Sequence, residues 1–179
     1  MVDPITTRTW GYRLLYTAVI LVIAFIQLLP IGIAASNLPG PDLALAVTFA
    51  WVLRRPSYVP VLLVAALFMF LDLLLQQPPG LGTALAVLGT EVLRSRKGVS
   101  RDLPFPVEWV FVTGVMVALV GLNQIVLTVA MTDRPPLGLA LLRALFTAGV
   151  YPFVVALSHY GFRVAAADPN EADALGSRL

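Results

Sequence analysis

From Pro39 to Lys97 the chain alternates apolar runs with short polar breaks. Pro39-Gly40-Pro41-Asp42 opens one run, and Arg54-Arg55-Pro56 closes it. The next run, Tyr58 to Leu75, carries a single charge, Asp72, near its far end. Gln76-Gln77-Pro78-Pro79-Gly80 then forms a tight turn, and a third run ends in Arg94-Ser95-Arg96-Lys97. A carboxylate such as Asp72 is tolerated among so many apolar residues only with a partner, and lipid is less forgiving than a soluble core. The pattern therefore predicts helices crossing a bilayer.

Carried along the whole chain, it predicts an all-α membrane protein, a six-transmembrane-helix bundle with spans near 12–32, 42–53, 58–75, 81–93, 107–131 and 137–160. Residues 1–163 form one membrane domain, and 164–179, with Asp168, Glu171 and Asp173, form an acidic tail expected to be disordered. A cleaved signal peptide competes for the first span, because Ala34-Ala35-Ser36 resembles a cleavage site. Its apolar core would exceed the usual length of roughly 7–15 residues. The 42–53 and 81–93 spans are short. At about 1.5 Å per residue the first of them covers about 18 Å of a hydrocarbon core about 30 Å thick.

Charge supplies the argument for keeping both. With six spans and a cytoplasmic N-terminus, Arg8, Arg13, Arg54, Arg55, Arg94, Arg96, Lys97, Arg101, Arg163 and Arg178 all lie inside. Arg134 alone lies outside, and Arg143 falls within a span. Removing either short span alone exports the Arg94–Arg101 cluster, and removing both exports Arg54 and Arg55, against the positive-inside rule. Both termini are therefore placed in the cytoplasm.

Composition agrees with this reading. Of 179 residues 59% are hydrophobic and 12% charged, against roughly 25% charged in soluble domains. The absence of cysteine excludes disulfides, thiolate metal sites and a cysteine nucleophile. A net charge of +2, with its basic residues beside the spans, points to anionic lipid and not to nucleic acid. His159 is the only histidine and has no clustered carboxylates, so no metal or cofactor is expected. No HExxH, serine-histidine-acid order or phosphate-cradling glycine loop occurs, and the chain is not expected to be an enzyme.

The polar residues inside the spans are the candidate site. Asp72 and Arg143 lie at matched depth near the outer ends of spans three and six, which predicts a pair inside the bundle. Such a pair can be structural, or it can line a ligand or partner site. Glu91 stands one turn before Arg94 and reads as an interfacial acid paired along its own helix. Asn123 and Gln124 occupy the outer half of span five and diverge by about 100°. Gly114, Ala118 and Gly121 on span five, and Ala140, Ala144 and Ala148 on span six, form small-residue stripes through which the two spans are expected to pack.

In their order and spacing several residues resemble the rod shape-determining protein MreD family. They are Pro41-Asp42, Trp51, Arg55-Pro56, Asp72, the proline-glycine turn with Leu81-Gly82, and Tyr151-Pro152. The resemblance extends over nearly the whole chain. It implies a non-catalytic inner-membrane component of the bacterial cell-wall elongation complex, which maintains rod shape and organises peptidoglycan synthesis. The implied partners are MreC directly, and the actin-like MreB, a RodA-type glycosyltransferase and a class B penicillin-binding transpeptidase in the wider complex. It also implies an architecture similar to the six-helix substrate-binding subunits of energy-coupling-factor vitamin transporters, a likeness of fold that carries no function across. The competing expectation is a transporter subunit that binds a small molecule in an outer-half cavity lined by Asp72, Arg143 and Gln124.

Overall fold

The structure, a computed structural model, describes residues 4–29, 39–95, 104–131 and 135–160. Among these residues there are six helices and no strand: α1 (Pro4–Leu28), α2 (Leu43–Arg54), α3 (Val61–Leu74), α4 (Leu81–Ser95), α5 (Phe105–Val129) and α6 (Leu137–Tyr160). Three of them, α1 from Thr9 onward, α5 and α6, are long and apolar enough to cross a membrane, which marks the chain as a membrane protein. The predicted tail, 164–179, lies outside the described residues.

Local chemistry explains the breaks. Asp42 caps α2, its Oδ1 accepting the Leu45 N–H at 3.0 Å. Arg55 precedes Pro56 and leaves the helical region, which ends α2. Pro60 restarts the chain as α3, so this helix holds 14 residues. The predicted span 58–75 is thus shortened at its start, where Tyr58 and Val59 belong to a turn. The span predicted at 12–32 falls on α1, and its last positions, 30–32, lie outside the described residues. The helix itself starts earlier, at Pro4, because proline suits a first turn and the polar residues after it continue the helix beyond the apolar stretch.

The long helices do not form the centre. The 12-residue α2 does, with Ala44 and every residue from Ala46 to Val52 buried. It packs against α6, α4 and α1, while α4 also adjoins α3 and α5. Gly89 permits this approach. A Cβ there would stand 2.6 Å from Phe49 of α2 and 2.9 Å from Leu119 of α5. The outer faces are apolar and open, as Leu62, Phe153 and Leu157 show, in keeping with a lipid-facing surface.

The expected packing of α5 on α6 through two small-residue stripes is corrected on α5. Gly114, Ala118 and Gly121 are exposed, and a Cβ at either glycine meets nothing within 4 Å. The inward face of α5 is instead Val112, Val115, Met116, Leu119 and Leu127. Larger side chains fill the space beside α4 and α6, because Gly89 on α4 supplies the close approach. On α6, Ala144 and Ala148 are buried and Ala140 is half-buried.

Candidate functional site

The chain passes up and down, so the bundle has two chemically different ends. At one, Arg54 pairs with Glu108 at 3.1 Å, and the Tyr151 hydroxyl donates to the same Glu108 Oε1 at 2.8 Å. Arg94 donates to the Val59 carbonyl and lies 3.5 Å from Glu91. The Arg13 guanidinium reaches the Ser57 carbonyl at 3.3 Å. Basic side chains from α1 and α4 thus converge on the loop between α2 and α3.

Above this end two tryptophans tie α6 to its neighbours. The Trp51 indole donates to Ser158 Oγ at 3.1 Å. Trp109 answers a consequence of Pro152 in the interior of α6. Proline has no N–H, so the Ala148 carbonyl one turn earlier loses its helical donor. The Trp109 indole N–H takes that place at 2.8 Å. A helix that would otherwise expose a buried carbonyl is satisfied from α5.

At the opposite end the helices enclose a cavity of about 500 Å³ to which all six contribute. Its walls are mostly apolar, with Phe68, Leu71, Leu85, Met116 and Leu119 among them. Among the described residues, its charged lining is Asp42, Asp72 and Arg143.

Asp72 is 3% exposed and holds the hairpin between α3 and α4 together. Its carbonyl accepts the Gln77 N–H at 2.9 Å, closing α3 over a left-handed Gln76. Its carboxylate Oδ2 accepts the N–H groups of Gly80 and Thr83 at 3.0 Å and the Thr83 hydroxyl at 2.9 Å. The acid therefore caps the start of α4 from the preceding helix, where the helix dipole also favours negative charge. Gly82 is pressed against it: a Cβ there would overlap Oδ1.

The predicted Asp72–Arg143 pair is not formed. Arg143 Nη2 lies 3.1 Å from Asp42 Oδ2 instead. Thr147 seals that joint, accepting the Asp42 N–H at 2.8 Å and donating to the Arg143 carbonyl at 2.7 Å. The reason is adjacency. The first turn of α2 packs on α6, whereas the donors at the start of α4 already engage Asp72 Oδ2. Depth alone fitted either acid. Gln124 does not line the cavity either. It is buried, and its amide donates to the Pro135 carbonyl at 3.0 Å, holding α5 to the approach of α6. Asn123, its neighbour, is the one that faces the cavity.

Thr83, Thr147, Glu108 and Trp109 are residues that sequence reasoning missed, and Asp42 was read only as the opening of a run. The proline-aspartate step before an apolar run is a helix-start signature that could have identified Asp42 as a cap. The other four lie on apolar stretches with no local signal. Together the fold and the cavity define a helical membrane bundle with a buried acid at one end and a basic rim at the other. No protein family, no curated protein and no solved structure matches the chain.

Proposed function

We propose that the protein is a six-span, MreD-like scaffold of the bacterial cytoplasmic membrane, which binds MreC and through it organises cell-wall elongation without catalysing a step. The observation that carries this reading is where the family-like residues sit. Asp42 and Asp72 cap helices and hold joints, Trp51 bridges α2 to α6, and Gly82 fits against Asp72. Pro152 releases the carbonyl that Trp109 takes up. These positions maintain one arrangement of helices, which is what a scaffold must present to its partners. The basic end faces the cytoplasm under the positive-inside rule. The short α2, α3 and α4 complete the six spans at the middle of the bundle, in the manner of the vitamin-transporter binding subunits. MreB, a RodA-type glycosyltransferase and a class B penicillin-binding transpeptidase are the wider partners on this reading.

Co-purification with tagged MreC tests it. MreC should be retained through detergent extraction, and crosslinks should converge on one helix face. Failure to retain MreC, in a preparation that is folded by its melting curve, would remove the scaffold reading. The cavity favours a second reading, a small-molecule-binding subunit of a vitamin-type transporter, for which co-purification with transporter ATPase subunits is the corresponding test.

A further inference from the structure

Among the described residues, the ionisable lining of the cavity is Asp42, Asp72 and Arg143, two acids and one base. Arg143 is committed to Asp42 at 3.1 Å and has no contact with Asp72. Asp72 faces a mostly apolar space, and among the described lining residues no basic side chain pairs with it; its donors are those of Gly80 and Thr83 at the start of α4.

The two oxygens of that carboxylate are not equivalent. Oδ2 takes all three hydrogen bonds that the carboxylate receives from described residues. Oδ1 receives none, and the Asp72 side chain lines the cavity. Gly82 lies against it, so that a Cβ there would overlap Oδ1. Oδ2 therefore serves the fold, and Oδ1 is the oxygen left to accept a donor from the cavity.

We propose that the cavity is a binding site for a small amphipathic cation, an organic amine with an apolar body, whose ammonium group is held by Asp72 Oδ1. The ammonium supplies a donor for Oδ1 and a charge opposite to that of the carboxylate. The apolar body lies against Phe68, Leu71, Leu85 and Met116. A volume of about 500 Å³ falls within the range of roughly 300–1,000 Å³ of small-molecule sites. The inference rests on the cavity alone and stands under either reading of the function.

The purified chain in lipid nanodiscs is titrated with 4-phenylbutylamine, with 4-phenylbutanol and with 4-phenylbutanoate, which share one apolar body and differ in the head group. Melting temperature and equilibrium binding are followed. The amine should raise the melting temperature saturably and bind about tenfold or more tightly than the alcohol, with the carboxylate weakest. Asp72→Asn keeps an oxygen that can accept the Gly80 and Thr83 donors but removes the charge, and should lose the preference for the amine. Should this variant fail to fold, Ala140→Trp adds bulk to the lining from α6 and should abolish amine binding. Equal effects of the three probes, no saturable effect of the amine, or amine preference surviving in the folded variants would each overturn the proposal. MreC plays no part in the assay, so its outcome is separate from that of the co-purification.

Discussion

Gly82 and Asp72 fit together with no room for one more carbon. A Cβ on Gly82 would overlap Oδ1 and stand 3.2 Å from Cγ of a carboxyl group that is itself held by three hydrogen bonds. Gly82→Ala should therefore lower stability by about 1–3 kcal/mol, the usual cost of overpacking. Asp72→Ala removes the acceptor for two backbone N–H groups at the start of α4, at a similar cost of about 1–3 kcal/mol. The double variant should be less damaged than the sum, because the smaller side chain leaves room for the new methyl. Melting curves of the four purified forms measure this, and strict additivity would sink the steric account.

The Asp42–Arg143 joint gives a second cycle. Both side chains are partly exposed, so the coupling between Asp42→Ala and Arg143→Ala should be modest, about 0.5–1 kcal/mol. Asp72→Ala and Arg143→Ala share no partner and should add within about 0.5 kcal/mol. Coupling in the second pair and none in the first would reverse the pairing found here.

Trp109 and Pro152 make a third. Trp109→Phe keeps most of the ring area but strands the Ala148 carbonyl, at about 1–3 kcal/mol. Pro152→Ala restores a helical N–H to that carbonyl, so Trp109→Phe should cost less in its presence. An equal cost in both backgrounds would mean that the indole hydrogen bond contributes nothing.

Two classes of glycine should behave differently. Gly89→Ala places a methyl 2.6 Å from Phe49 and 2.9 Å from Leu119, and should destabilise the bundle by about 1–3 kcal/mol. Gly114→Leu and Gly121→Leu meet open space and should leave the melting temperature nearly unchanged. A large loss at Gly114 or Gly121 in the isolated chain would contradict the outward placement of that stripe.

Sidedness is tested by accessibility. Ser95 at the basic end and Gln77 in the turn at the cavity end are both exposed. In intact cells, Gln77→Cys should react with an impermeant thiol reagent and Ser95→Cys should not. The opposite labelling would invert the orientation proposed from the positive-inside rule.

The sequence by itself determined where helices form, because the signals are local. Apolar runs, the Pro-Asp step at 41–42, Arg55-Pro56 and the proline-glycine turn at 78–80 all act within a few residues of the breaks they cause. Only α1 departed widely at its start, since polar residues in a first turn carry no hydropathic signal of helix. Tertiary structure alone decided which charges meet. Asp42 and Asp72 lie at the same end of the bundle, and depth along the chain could not choose between them as partner of Arg143. The choice was made by which helices adjoin: α2 packs on α6, and α4 receives Asp72. The same cause placed the shortest apolar helix, α2, at the centre, and turned the small-residue stripe of α5 outward. A residue's depth follows from its position in the chain, but the face it presents has meaning only once its neighbours are fixed.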